Sequence, residues 1–299
     1  MNDEQQQPEA DPAPGRPARA FGAVADAYDR GRPGYPREAA TWLTGTRPLS
    51  VLELGAGTGK LTTELVALGH DVHATDPDQD MLSRLSLRLP EVRVTQAPAE
   101  ELPVPDRSVD VVVGAQCFHW FDLDRALPEI VRVLRPGGHV AMVWNERDER
   151  IPWVRRLGRI LGGTGQPRDW TTLLSASGLF GFVDETSFGA WQTLDRDRLR
   201  DMVLSRSHVR VRDEEERERV LAEALALYDG FGRGWEGLQL PWSARCFRAT
   251  VAPRRGVDLT AGAQDPADDA PPAEQAGPAQ DAVDPPTDDD TGTLLIDFR

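Results

Sequence analysis

Apolar positions between residues 50 and 144 follow two alternating patterns. Ser50-Val51-Leu52-Glu53-Leu54 and Val109 to Ala115 are short runs with apolar residues on both faces, the signature of strands buried inside a parallel sheet. His70 to Asp76 predicts a further strand, with Val72 and Ala74 on one face; Val92-Arg93-Val94 and His139 to Trp144 predict two more. Between them, Thr58 to Leu68 repeats Leu61, Leu65 and Leu68 at helical spacing, and Asp78 to Arg88 repeats Met81, Leu82 and Leu85. Asp122 opens a helix that runs to about Leu134 and stops at Pro136-Gly137-Gly138. Repeated β-α units of this spacing predict a doubly wound parallel sheet with right-handed crossovers.

After Asn145 the alternation loosens. Trp153 to Leu161 and Thr171 to Ser177 read as helices, and Phe182 to Gln192 as a strand. In Asp213 to Tyr228, Asp213 and Glu216 form a capping box, while Val220, Leu221, Ala224, Leu225 and Tyr228 make the apolar face. Trp242 to Val251 is expected to be a last strand closing the sheet edge. Residues 1–19 and 253–299 are rich in Gln, Pro, Ala and Asp and offer no periodic apolar surface, so both are expected to be disordered tails around one domain at 20–252. The apolar Leu294-Leu295-Ile296-Asp297-Phe298 reads either as an untethered chain end or as a short docking peptide.

Charge changes this picture little. The chain of 299 residues has a formal charge of −15, but residues 256–299 hold eleven acids against Arg299 alone. The folding part is therefore only mildly acidic, and an anionic partner is not excluded by charge. With no basic groove or recognition module evident, nucleic acid is not an expected partner. No apolar run approaches the roughly 18 residues needed to span a bilayer, and Met1 to Arg19 lacks the apolar core of a signal peptide. Two cysteines, Cys117 and Cys246, form neither a disulfide framework nor a four-thiolate metal site. A cytoplasmic protein is the expectation. Lys60 is the single lysine; the many scattered arginines reflect composition rather than chemistry.

The chemistry concentrates in Glu53-Leu54-Gly55-Ala56-Gly57-Thr58-Gly59, a turn between the first strand and the first helix. Glycines there let the backbone turn sharply and admit a ligand against bare main chain. A P-loop needs Gly-x-x-x-x-Gly-Lys-Ser/Thr; Gly59-Lys60 fits, but Leu54 and Leu61 occupy the outer positions. The dinucleotide fingerprint Gly-x-Gly-x-x-Gly is one residue longer than Gly-x-Gly-x-Gly. Glu53 at the strand end would repel a pyrophosphate yet suits a cationic ligand. Asp76 ends the second strand at the distance where a carboxylate accepts ribose hydroxyls. His70 and His73 lie across the entrance of one strand, where alternation turns them to opposite faces, so no metal site is expected from them.

The turn, its leading acid and the spaced aspartate together resemble motif I of the class I S-adenosylmethionine-dependent methyltransferases. The resemblance extends over roughly Phe21 to Val251. Gln96 to Pro103 is similar to the loop bordering the adenine, with Ala99 and Glu100 in place of the usual acid and small residue. Ser108 to Ala115 resembles motif IV, and Leu134-Arg135-Pro136-Gly137-Gly138 the segment before strand five. Phe21 to Tyr28, Arg32-Pro33-Gly34-Tyr35-Pro36, Phe118 to Asp122 and Trp144 to Asp148 look like a subgroup of trans-aconitate-type and other small-molecule methyltransferases. The implied fold is a Rossmann-like seven-stranded sheet, mostly parallel with one antiparallel edge strand and helices on both faces.

The resemblance implies S-adenosyl-L-methionine as cofactor and a small-molecule methyl acceptor. Gly55, Ala56, Gly57 and Gly59 would approach the methionine end, Glu53 the ammonium, Asp76 the ribose, Ala99 or Glu100 the adenine edge, with Gln116 also at the cofactor. Tyr28, Arg32 and Tyr35 would close over it as part of an N-terminal lid (20–40), the alternative being an ordinary helix packed on the sheet. Residues 146–240 would shape the acceptor side. Transfer from a sulfonium is an in-line displacement in which orientation alone can supply ~7–11 kcal/mol, so no nucleophile is needed. His119 is the candidate base for an acceptor that must lose a proton, and otherwise a residue that caps or packs the next helix. Trp120 would shield the sulfonium by cation–π contact or simply pack. Asn145 would bind the acceptor or cap a helix. Arg30, Arg32, Arg147 and Arg206 are candidates for meeting a carboxylated acceptor. A methyltransferase-fold protein that binds the cofactor without turnover, and a macromolecule-directed methyltransferase, are the competing readings.

Overall fold

The computed structural model describes residues 31–162, 169–206, 209, 211–231 and 237–252. Both expected tails, Phe21 to Tyr28 and Arg30 lie outside these described residues. Helix α1 (Arg37–Thr44) leads into β1 (Ser50–Leu54), α2 (Lys60–Ala67), β2 (Asp71–Asp76), α3 (Gln79–Arg88) and β3 (Arg93–Gln96). There follow β4 (Val109–Ala115), a 3-10 turn at Phe118–Trp120, α4 (Leu123–Val133) and β5 (Leu134–Arg147). The remainder comprises α5 (Pro152–Leu161), α6 (Trp170–Ala176), β6 (Phe180–Leu194), α7 (Arg196–Leu204), α8 (Glu214–Phe231) and β7 (Leu238–Val251).

The strands form one seven-stranded sheet in the order β3-β2-β1-β4-β5-β7-β6. β1 to β5 are mutually parallel, and β7 runs antiparallel to both β5 and β6. The mostly parallel sheet is as expected, but its final strand does not close the edge. β7 buries side chains on both faces, including Trp242, Ala244 and Cys246 on one and Phe247 and Ala249 on the other, so it belongs inside. β6 leaves Glu185, Ser187 and Trp191 exposed, the alternation of a half-wet strand, and takes the edge.

Alternation along the strands divides the core. Leu52, Val112, Val140 and Met142 pack with α4 and α6 on one face; Val51, Val111, Val113, Ala141 and Val143 pack with α1 and α2 on the other. A third cluster joins α5, α7 and α8 to Leu238, Leu240 and Trp242 of β7. Side chains cap several helices: Asp78 accepts from Asp80 and Met81, Asp195 from Arg198, and Asp213 from Glu216, as the capping pattern predicts. Asp122 stands at the start of α4 but its carboxylate caps nothing; its own N–H donates to Glu100 at 2.8 Å. Among the described residues, no helix is long and apolar enough to cross a membrane.

Phe118 links the α4 face to the end of β4. It is fully buried, with ring centroids 5.0 Å from Phe121, 6.2 Å from Trp170 and 6.4 Å from Trp144. Phe118→Ala is expected to lower unfolding free energy by about 3–5 kcal/mol, measured by urea denaturation. A loss under about 1 kcal/mol would contradict this packing.

Candidate active site

The glycine turn is built by its neighbours. Gly55, Gly57 and Gly59 have φ of 60°, 56° and 85°, values that L side chains rarely adopt. Ala56 N–H donates to Thr75 O at 3.0 Å, and Thr75 Oγ1 donates to Glu53 O at 3.0 Å, stitching the turn to β2. A Cβ on Gly55 would lie 2.6 Å from Cys117 Cβ. At Gly57 the space is open within 4 Å, so the turn presents bare main chain to a cleft.

Two carboxylates lie beneath this turn. Glu53 is 1% exposed and accepts from Thr62 Oγ1 at 2.7 Å. Burial pushes its carboxyl up to about 8; the Thr62 hydrogen bond opposes this, and the charge of Asp76 adds to it. Asp76 Oδ2 accepts from Gly57 N–H and Oδ1 from Asp78 N–H, both at 2.9 Å. Burial pushes Asp76 up to about 6 against those two amides. Each of its oxygens retains acceptor capacity for a further donor. Cys117 Sγ donates to Leu54 O at 3.2 Å, and burial, then the charges of Asp76 and Glu53, hold its thiol well above the ordinary range.

The cleft is lined by Glu53, Gly55 to Thr58, Lys60, Leu61, Ala115 and Gln116, together with Arg32, Pro33 and Tyr35. The structure thus brings together Glu53, Gly55, Ala56, Gly57, Gln116 and Arg32, with Asp76 directly behind Gly57. Gln116 has φ of 55°, in the left-handed region, and its N–H donates to Val143 O at 2.9 Å. Gly59 stands one step back, as the N-cap of α2. Ala99 is buried in the α4-side core and Glu100 holds Asp122 N–H; neither lines the cleft. His119 is exposed on the 3-10 turn after β4, its ring 4.5 Å from that of Trp120, and does not line the cleft either. Tyr28 lies outside the described residues.

Asn145 neither caps a helix nor faces the cleft. Its Nδ2 donates to Gly34 O at 2.9 Å and ties the N-terminal segment to β5. His70 Nε2 meets Thr44 Oγ1 at 2.8 Å and His73 Nε2 meets Thr95 Oγ1 at 2.9 Å, so both histidines serve packing. Among the described residues no group of three or more His, Cys, Asp or Glu side chains is placed to hold a metal ion. Sequence reasoning missed Lys60, Thr62 and Cys117 as parts of the site. The position of the lone lysine at the first turn of α2 was a usable signal; Thr62 and Cys117 carried none.

Glu53 keeps its proton to about pH 8 in the folded chain but ionises near 4.5 when unfolded. The folded state binds that proton more tightly, so this contribution to stability is complete below about pH 4.5 and declines as pH rises towards 8. Asp76 adds a decline of the same sign between about 3.8 and 6. Urea denaturation of Glu53→Gln should therefore show a flatter profile between pH 6 and 8 than the natural chain, by on the order of a few kcal/mol. Identical slopes would contradict the assignment.

Comparison with known proteins shows the family. Residues 52–142 match the model of a methyltransferase domain. The uncharacterised methyltransferase Rv3342 of Mycobacterium tuberculosis is 45% identical over 237 residues, covering 78% of this chain and 96% of that protein. A methyltransferase-like protein of Schizosaccharomyces pombe is 37% identical over 212 residues, or 67% of this chain and 82% of that one. A structure from Anaeromyxobacter dehalogenans assigned as a type II methyltransferase superposes with a TM-score of 0.53 at 29% identity, over 74% of this chain and 99% of that one. With its sheet order, glycine turn and near full-length relatives, the chain belongs to the class I S-adenosylmethionine-dependent methyltransferases.

Proposed function

We propose that the domain at 20–252 transfers the methyl group of S-adenosyl-L-methionine to a small-molecule acceptor. The observation that carries this reading is the pair of buried carboxylates, Glu53 and Asp76, under a turn of bare main chain. A buried acid is costly unless a cation or hydrogen-bond donors compensate it. A ligand with an ammonium and a sulfonium at one end and a diol at the other supplies both. When bound, the cofactor supplies a methyl group on a positively charged sulfur, already activated for displacement.

The chain's own residues then orient and enclose. Gly55, Ala56 and Gly57 let the methionine end approach main chain, Glu53 faces its ammonium, and Asp76 accepts from the ribose hydroxyls. Gln116 and Arg32 border the same cleft, and Ala99 and Glu100 mark the side towards the adenine. The segment from Gly31 to Pro36 lies over the strand ends, held by Asn145 at Gly34 O and by Gln192 at Gly31 O. Such a cover excludes water and suits a small acceptor better than a macromolecule. His119, exposed just beyond β4, is the residue to take a proton from an acceptor that must lose one; a carboxylate acceptor would need no base.

Calorimetric titration with S-adenosylhomocysteine should show saturable one-site binding. Asp76→Ala should weaken it by about tenfold or more, and Asp76→Asn, which preserves shape, by less. Absence of binding to the natural chain, or binding indifferent to Asp76→Ala, would overturn the cofactor assignment. Binding without methyl transfer to any fraction of host metabolites would instead favour a non-catalytic role.

A further inference from the structure

Of the described arginines that the sequence offered for an anionic acceptor, Arg32, Arg147 and Arg206, Arg147 is the buried one. It is the last residue of β5, opposite Trp242 of β7, at the carboxyl end of the parallel strands where open α/β sheets take ligands. Alternation along β5 puts it on the same face as Asn145, under the segment that begins at Gly31. Gly31 is pressed so closely onto α7 that a Cβ would have no room against the Met202 backbone. Gln192 bridges the two sides, donating to Gly31 O at 3.2 Å and accepting from Trp242 Nε1 at 3.0 Å.

In this enclosure the Arg147 side chain is 2% exposed. Its Nη2 donates to Glu149 Oε1 at 3.1 Å. That carboxylate is itself held against α5, where Gly158 leaves it the space a Cβ would fill. The Nε–H of Arg147 is buried with no hydrogen-bond partner, and so is Asn145 Oδ1 two residues before it. Burial first, and the nearby positive charge of Arg32, disfavour the Arg147 cation, while Glu149 supports it. Guanidinium cannot escape by losing its proton. A buried cation with an idle donor beside a second cation is a half-made anion site: planar, forked, and matched to an oxyanion.

Resting on the methyltransferase reading above, we propose that Arg147 anchors the methyl acceptor, and that the acceptor carries an oxyanion, carboxylate or phosphate, bound by the Nε edge of Arg147. Asn145 Oδ1 receives a hydrogen bond from a hydroxyl or amide N–H of the same molecule. Arg32, which lines the cofactor cleft, lies between the two ligands and adds its field to both. Arg147 does not line that cleft, which separates it from the cofactor's own carboxylate.

The test uses the full chain saturated with S-adenosylhomocysteine, titrated calorimetrically with glutarate, benzoate and phenyl phosphate, and with glutaramide and benzamide as neutral counterparts. At least one oxyanion should bind, its amide about tenfold or more weaker, the two acid classes telling carboxylate from phosphate. Arg147→Gln should weaken that oxyanion by about tenfold or more and leave S-adenosylhomocysteine affinity within about twofold; Arg147→Lys should retain part of the affinity. The proposal is overturned if acids and amides bind alike, if no oxyanion binds to a chain that binds S-adenosylhomocysteine, or if Arg147→Gln binds oxyanions like the natural chain. An equal loss of S-adenosylhomocysteine affinity in Arg147→Gln also overturns it, by returning Arg147 to the cofactor. Failure of the natural chain to bind S-adenosylhomocysteine at all refutes the underlying reading instead. Should Arg147→Gln not fold by circular dichroism, the acid–amide comparison on the natural chain and the Arg147→Lys variant decide.

Discussion

Two carboxylates buried side by side govern how the first half of the sheet is put together. Glu53 and Asp76 sit at the ends of adjacent strands, and a low-dielectric setting penalises each charge and their mutual repulsion. Three local devices keep the arrangement tolerable. Thr62 reaches back from α2 to Glu53, while the amides of Gly57 and Asp78 converge on Asp76. The Gly57 amide points at that carboxylate only because the turn runs through positive φ, which residues with a Cβ resist. The glycine spacing is thus set by an electrostatic demand as much as by room for a ligand.

The other half of the sheet is tied to residues 31–44 in a different way. Asn145, Gln192, His139 and Arg248 project from β5, β6 and β7, and each meets a main-chain carbonyl, of Gly34, Gly31, Leu43 and Trp42 respectively. Arg248 also stacks over the Trp42 ring at 4.5 Å. The sheet therefore grips the backbone of the covering segment as well as its buried side chains, Ala39, Ala40 and Leu43. Arg32 and Tyr35 of this segment also line the cleft.

Strands β1, β2 and β4 and the glycine turn were legible because their signals are local: β1 and β4 are apolar on both faces, β2 has Val72 and Ala74 on one, and glycines recur at fixed intervals. What escaped depends on residues far apart in the chain. Whether β7 is an edge or an interior strand is settled by its pairing with β6 some fifty residues earlier, which no window reveals. α7 escaped because only Leu199, Met202 and Val203 of its polar stretch are buried. Asp122 has the composition of a cap, yet its amide is satisfied from Glu100, across a strand and a turn. At the site, the spacing of Glu53, Gly55, Gly57 and Asp76 pointed to the cleft. The enclosure of Arg147 was invisible, because arginines recur throughout the sequence and burial distinguishes this one.

The insertion of β7 between β5 and β6 has a consequence for the newborn chain. Ribosomes extend a polypeptide at roughly 5–20 residues per second, and β6 is synthesised before its only sheet neighbour exists. Until β7 emerges, β5 has one flank unpaired, and β6, which carries the exposed Phe182 and Trp191, lacks the strand it pairs with. Vectorial synthesis therefore makes β1 to β5 available first and leaves a sticky interval before β6 can be paired. The natural point of chaperone attention is that interval, between the emergence of Phe180 and that of Val251.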